Sequence, residues 1–76
     1  MDTSYIDRMR EEKEQLSERI TKLKYFIHLN NSYHDLSAQK KDLLKSQLHA
    51  MELYYYFLYE RLTLEEQDTS TTNHDK

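Results

Sequence analysis

Hydrophobic residues follow a heptad rhythm in two separate parts of the chain. In the first part, the positions recur at alternating steps of three and four: Ile6, Met9, Lys13, Leu16, Ile20, Leu23 and Ile27. Lys13 is the one charged residue in this series. The second part has the same steps at Leu44, Leu48, Met51, Tyr55, Leu58 and Leu62. Such steps place side chains on one face of an α-helix. The pattern therefore predicts two amphipathic helices, at about residues 4–29 and about residues 38–64.

A polar segment separates the two predicted helices. Residues 30–37 contain the clearest turn cluster, Asn30-Asn31-Ser32, and end in Ser37, which is suited to cap the second helix. The stretch between them is compatible with one extra helical turn or with a short irregular link. Two amphipathic helices joined by a short connection fold back on each other. The sequence therefore predicts an all-α, antiparallel two-helix hairpin in a single domain at residues 1–64.

The end of the chain has a different composition from the hairpin. Residues 65–76 are polar and contain no apolar anchor. Such a segment buries too little apolar surface to offset the entropy of ordering it. We expect residues 65–76 to form a disordered polar tail.

An aromatic run lies inside the second predicted helix. Residues 54–59 read Tyr-Tyr-Tyr-Phe-Leu-Tyr, and both Tyr and Phe also favour strands. The heptad steps continue through the run without a break, so we predict a helix there. Six consecutive helical residues point in all directions around the helix axis, so some of these rings lie outside a single helix–helix seam.

A second stripe runs beside each seam. On the first helix it comprises Tyr5, Glu12, Arg19 and Phe26. On the second helix it comprises Leu43, Gln47, Ala50, Tyr54, Phe57 and Arg61. A chain of 76 residues has a thin core and usually needs disulfides, a metal or oligomerisation. Cys is absent and the four His lack zinc-motif spacing, so we predict a homo-oligomeric helical bundle with no metal and no cofactor.

The charge distribution narrows the set of partners. Residues 1–64 carry ten Lys or Arg and ten Asp or Glu, so the hairpin is neutral and the acidity lies in the tail. A neutral body argues against binding to duplex nucleic acid, which depends on excess positive charge. No apolar run approaches the roughly 20 residues that cross a bilayer, and the N-terminus does not resemble a signal peptide. We therefore expect no membrane association and a cytosolic location.

Two groups of side chains are candidates for binding. Tyr5, Arg8, Glu12, Tyr54, Tyr55 and Arg61 are expected to be neighbours at the open end of the hairpin. Aromatic rings stack on bases, Arg binds phosphate, and a carboxylate accepts hydrogen bonds from a base or ribose, so this set suits a nucleotide. The alternative is a salt-bridge cluster over an aromatic core. At the turn end, Lys40, Lys41 and Lys45 with Lys22 and Lys24 form either an anion site or a solvated face.

Catalytic constellations are not evident. Glu11, Glu12 and Glu14 lie on a regular helix with no His at a useful spacing, and no rigid loop holds a Ser-His-Asp set. We therefore predict that the protein is not an enzyme.

Several motifs exceed what a heptad pattern requires. The first helix reads Tyr-Ile-x-Arg-Met-x-x-Glu from Tyr5, and the second contains Leu-Leu-x-x-Gln-x-x-Ala-Met-x-x-Tyr from Leu43 and Leu-x-x-Arg-Leu from Leu58. Over residues 5–62 the chain resembles the phage anti-CBASS/anti-Thoeris hairpin domain family. That family contains viral sponges, often hexameric, which bind nucleotide messengers of bacterial immunity between hairpins and do not cleave them.

The resemblance implies a function and a set of roles. The expected ligand is a cyclic oligonucleotide or an ADP-ribose derivative, and the expected location is the cytoplasm of the host bacterium. Tyr5 or Tyr54 would stack on a base, with Tyr55 nearby, while Arg8 and Arg61 would hold phosphates. Glu12 would accept from a base or ribose, and Lys13 would line a pocket between subunits. The alternatives are a module that blocks a host defence protein with its aromatic face and a purely structural coiled-coil bundle.

Overall fold

The protein is a helical hairpin in a computed structural model, which describes the backbone of residues 4–72 and the side chains of residues 4–68. It contains α1 (Ser4–Leu29), the single turn α2 (Asn31–His34) and α3 (Ala38–Thr72). The aromatic run is helical, and no strand occurs within residues 4–72. The all-α prediction is therefore confirmed.

The two predicted seams form the core between α1 and α3. Its buried members are Ile6, Met9, Leu16, Ile20, Leu58 and Leu62, against which Leu48, Met51 and Tyr55 pack. Leu58 is fully buried, with 0% of its surface exposed. Burial of a Leu side chain stabilises a fold by about 1.5–3 kcal/mol, so Leu58 is a principal anchor of the hairpin.

Side chains of the turn segment cap the starts of α2 and α3. The Asn30 side chain accepts a hydrogen bond from the Ser32 amide at 2.8 Å, and the Ser37 hydroxyl oxygen accepts one from the Lys40 amide at 3.2 Å. Both interactions satisfy amides that the first turn of a helix leaves without partners. An extra helical turn was considered for residues 33–36, and the structure places it two residues earlier, as α2, because Asn30 caps its start.

A buried tyrosine closes the turn end of the hairpin. The Tyr33 ring lies edge-on to Phe26, with ring centroids 6.0 Å apart and an interplanar angle of 88°. The Lys41 ammonium lies 5.5 Å from the same ring. The connection is therefore packed against both long helices.

The predicted end of the second helix is corrected by the structure. Helix α3 continues through Thr72, well past the expected end at Leu64, so residues 65–72 are helical and not a disordered tail. The reason lies on α1, because Tyr5 donates a hydrogen bond to Glu65 and Arg10 forms an ion pair with Glu66 at 3.0 Å. These contacts offset the cost of ordering a polar segment. The part of the tail prediction that concerns residues 73–76 lies outside the described residues.

No helix within residues 4–72 has the length and apolar character needed to cross a bilayer.

Candidate functional site

The candidate binding residues are divided between two long sides of the hairpin, one on either flank of the core. We call one the tyrosine side; it comprises Tyr5, Glu12, Tyr54, Arg61 and Glu65. We call the other the ion-pair side; it comprises Arg10, Lys13, Lys24, Glu52, Tyr59 and Glu66. The division follows from helix geometry, since residues flanking a heptad seam project to opposite sides of it.

A tyrosine–glutamate contact joins α1 and α3 on the tyrosine side. The Tyr54 hydroxyl donates a hydrogen bond to Oε2 of Glu12. About two helical turns away on α1 and three on α3, Tyr5 donates to Oε1 of Glu65. Tyr5 and Tyr54 are each 44% exposed, so nearly half of each side chain remains accessible to a ligand.

These hydrogen bonds alter the acidity of both phenols. The bond to Glu12, together with desolvation and the negative charge of Glu12, raises the pKa of Tyr54 above its ordinary value. The bond to Glu65 raises the pKa of Tyr5 in the same way, aided by desolvation and by the charges of Glu65 and Asp68. Both phenols therefore remain hydrogen-bond donors at neutral pH.

The two predicted phosphate-binding arginines occupy different surroundings. Arg61 lies close enough to Tyr54 for its positive charge to lower the pKa of that phenol, against the effect of Glu12. Arg8 lies on α1 one turn before Glu12, and its guanidinium donates to the Ser4 hydroxyl at 3.4 Å. The structure therefore groups Arg61 with the tyrosine–glutamate contact and directs Arg8 toward the start of α1.

Opposite charges bridge the helices on the ion-pair side. Arg10 contacts Glu66 and Lys24 contacts Glu52, both at 3.0 Å. Between these pairs, the Lys13 ammonium lies 5.6 Å from the ring centroids of Tyr55 and Tyr59, within the range of cation–π attraction. Lys13 and Tyr55, although predicted as site residues, are therefore not grouped with Glu12 and Tyr54.

Shallow grooves lie along the ion-pair side. One has a volume of about 150 Å³ and is lined by Arg10, Lys13, Glu14, Tyr59, Leu62, Thr63 and Glu66. Another, of about 290 Å³, is lined by Ser17, Ile20, Thr21, Lys24, Glu52 and Tyr55. Small-molecule sites typically enclose about 300–1,000 Å³. Both grooves are smaller than the lower end of that range.

Glu65 and Tyr59 are among the residues of these sides that were absent from the predicted set. Glu65 was assigned to the tail, so its contact with Tyr5 was missed. Tyr59 was treated only as part of the aromatic run, although it follows Tyr55 by one helical turn and thus reaches the same lysine. That spacing was the available signal for Tyr59, whereas the contact of Glu65 joins residues 60 positions apart.

The lysine group predicted at the turn end is partly engaged within the hairpin. Lys24 pairs with Glu52, and Lys41 lies over the Tyr33 ring. These contacts favour an ordinary polar surface, and not an anion site, as the interpretation of that lysine group.

Comparison with known proteins gives one family match. A family model described as Sequestin matches residues 3–64, which include α1, the turn and α3 as far as Leu64. No curated protein and no solved structure matches the chain significantly. The family description fits a sequestering phage anti-defence sponge, the type of protein that the sequence motifs resemble.

Proposed function

The chain belongs to the Sequestin family, and on this premise we propose that it is a phage anti-defence sponge for a nucleotide immune second messenger. The messenger is a cyclic oligonucleotide or an ADP-ribose derivative, which the protein binds in the host bacterial cytoplasm and does not cleave. The family description supports a binding protein over an enzyme. The nucleotide class rests on the chemistry of the tyrosine side.

The observation that carries the proposal is the group formed by Glu12, Tyr54 and Arg61. It combines an aromatic face that is 44% exposed, a carboxylate and a guanidinium charge. A nucleotide presents a π-face, hydrogen-bond donors and phosphate, and each matches one of these groups. We assign base stacking to Tyr54, phosphate binding to Arg61, and the acceptor for a base or ribose donor to Glu12.

Glu12 retains capacity for a ligand while it holds Tyr54. The Tyr54 phenol donates to Oε2, and an ionised carboxylate has about four acceptor positions on its two oxygens. The phenol thus fixes the orientation of Glu12 before a ligand arrives. Tyr5 extends the same side toward the open end as a second stacking ring. Arg8, which is directed toward the start of α1, is proposed as a second phosphate contact.

The proposed site is completed by other copies of the chain. Since the grooves described along the hairpin are shallow, a second hairpin packed over the tyrosine side would enclose the ligand. We therefore propose a homo-oligomer, with a hexamer as one candidate assembly. Lys13 and Tyr55 would line a second intersubunit surface on the ion-pair side.

Titration calorimetry and thermal shift test the proposal directly. Purified protein is titrated with a panel of cyclic dinucleotides, cyclic trinucleotides and cyclic or conjugated ADP-ribose, and each mixture is analysed afterwards for intact ligand. We expect saturable heat and a raised Tm with one class, with the ligand recovered unchanged. Absence of heat and of any thermal shift across the panel contradicts sponge activity, and ligand breakdown contradicts sequestration without cleavage.

A further inference from the structure

A second heptad seam runs along the surface of α3 that is turned away from α1. Its positions recur at steps of three and four: Leu43, Ser46, Ala50, Leu53, Phe57, Glu60 and Leu64. Its large members are exposed within the hairpin, at 65% for Leu43, 51% for Leu53, 52% for Phe57 and 59% for Leu64. Apolar positions in this rhythm are the pattern by which one helix packs against another.

Leu43 and Leu64 of this second seam lie at equal distances along the chain from a point between Leu53 and Tyr54, and so do Ala50 and Phe57. When two copies of α3 lie antiparallel with that point shared, Leu43 of one copy faces Leu64 of the other, and Ala50 faces Phe57. A small residue opposite a large one allows the two helices to interdigitate. Self-complementarity of this kind is the requirement for a twofold interface between identical chains.

Charge also selects the antiparallel orientation. The first part of α3, residues 38–50, carries three Lys and one Asp, whereas residues 57–68 carry four Asp or Glu and one Arg. Among these charged residues, Lys41, Glu65 and Glu66 make contacts within the hairpin. The same difference in sign between the two halves holds without them: Lys40, Asp42 and Lys45 in the first, Glu60, Arg61 and Asp68 in the second. An antiparallel pair places the basic half of each helix beside the acidic half of the other. A parallel pair would place like charges together, which opposes association.

We propose that the second seam is the docking surface for a second copy of this chain, whose α3 packs antiparallel about a twofold axis between Leu53 and Tyr54. Tyr54 then has two roles, because it holds Glu12 within its own hairpin and lies beside Leu53 of the second copy. Arg61 lies opposite Ser46 of the second copy. The interface therefore brings the tyrosine sides of two hairpins together and gives each site a wall from its partner.

The proposed interface rests on the proposed homo-oligomer. The experiment must therefore distinguish a wrong interface from the absence of any oligomer. The chain contains no Cys, and each single substitution to Cys therefore supplies one thiol. Leu53→Cys, Leu43→Cys and Leu64→Cys are oxidised separately, and the last two also as a mixture. Positions 43 and 64 of one helix are about 30 Å apart along its axis.

The antiparallel interface predicts a specific crosslinking pattern on a non-reducing gel. Leu53→Cys gives a covalent dimer in most of the protein, and the mixture of Leu43→Cys with Leu64→Cys gives a mixed dimer. Leu43→Cys and Leu64→Cys alone stay at the background set by Tyr56→Cys, a control with 53% exposure that lies outside the second seam. Circular dichroism of each variant checks that the helices are retained.

Other outcomes overturn the inference in distinguishable ways. A dimer of Leu43→Cys alone indicates a parallel pair, and background crosslinking of every variant indicates that copies meet elsewhere. Light scattering of the unmodified protein separates these cases from failure of the assembly itself. An oligomer without the predicted crosslinks contradicts only this interface, whereas a monomer also contradicts the proposed homo-oligomer.

Discussion

The two sides of the hairpin differ in how their charged groups are satisfied. On the ion-pair side, Arg10 and Lys24 each contact a carboxylate of α3, and Lys13 lies between two rings. On the tyrosine side, Glu12 is held by a neutral phenol, which orients the carboxylate and leaves its charge in place. Charged residues therefore have a different role on each side of the hairpin. Charges that neutralise each other align two helices, whereas a carboxylate held by a neutral donor keeps its charge, which is the property that the proposed site requires.

The largest effect is expected from a substitution in the core that lies between the two sides, because both sides depend on it. We expect Leu58→Ala to lower the free energy of unfolding by about 2–5 kcal/mol, because it leaves a cavity at a fully buried position. Both sides would be lost together, in one cooperative transition. Chemical denaturation monitored by circular dichroism measures the effect, with Tyr56→Ala compared as a position that is 53% exposed in the hairpin and lies outside the second seam. Equal losses for both variants would contradict the placement of the core.

Ligand binding separates the two sides most sharply. Tyr54→Ala removes the proposed stacking ring, and we expect it to weaken messenger binding by about tenfold to a hundredfold. Tyr59→Ala removes a ring of comparable exposure, 51%, from the ion-pair side and is expected to leave binding within about twofold. Titration calorimetry with the messenger found in the panel measures both. If Tyr59→Ala gave the larger loss, the site would belong on the ion-pair side.

The ion pairs themselves are expected to contribute little. Arg10 and Glu66 are about half exposed, so solvent screens their attraction, and a double-mutant cycle with Ala should give a coupling of at most about 0.5 kcal/mol. The coupling should shrink further as salt is raised. Unfolding measured at low and high salt provides the comparison. A coupling well above 1 kcal/mol would show that this side does more than set the register of the helices.

The smallest expected effect concerns the ionisation of a single phenol, that of Tyr54, at alkaline pH. The bond to Glu12 raises the pKa of Tyr54 from its ordinary value of 10.0, so stability from this contact is fully present below that pH and is lost as pH rises through the folded pKa. Tyr54→Phe should remove one of the late-ionising phenols among the seven tyrosines. Ultraviolet absorbance of tyrosinate against pH detects it. An unchanged late phase would place the shifted phenol elsewhere.

Much of the fold could be predicted from the sequence because it depends on local periodicity. The two seams, the turn at Asn30 and the cap at Ser37 follow from spacing and from side chains that act on nearby amides. The end of α3 could not be predicted in this way. Residues after Leu64 are polar, and they are held by Tyr5 and Arg10, which are far away in the chain.

For the candidate site, the sequence predicted which residues lie close together but not which of them contact each other. Antiparallel pairing indicates that Glu12 and Tyr54 lie close together, and the structure joins them by a hydrogen bond. The same reasoning placed Arg8 and Tyr55 in one group with them. The structure separates them, since Arg8 turns toward Ser4 and Tyr55 lies under Lys13. Sequence spacing fixes the face of a helix, whereas the direction of a long side chain depends on partners that only the assembled hairpin supplies.

The thinness of the hairpin affects how its copies should be counted. The chain measures 61 × 16 × 15 Å, and its radius of gyration is 17.5 Å, against about 11 Å for a compact domain of this length. A rod of these proportions experiences more friction in water than a sphere of equal mass. It therefore elutes early from a sizing column and sediments slowly. When globular standards are used for calibration, the column overestimates the mass and sedimentation underestimates it. The number of subunits should be determined from mass itself, by light scattering or native mass spectrometry.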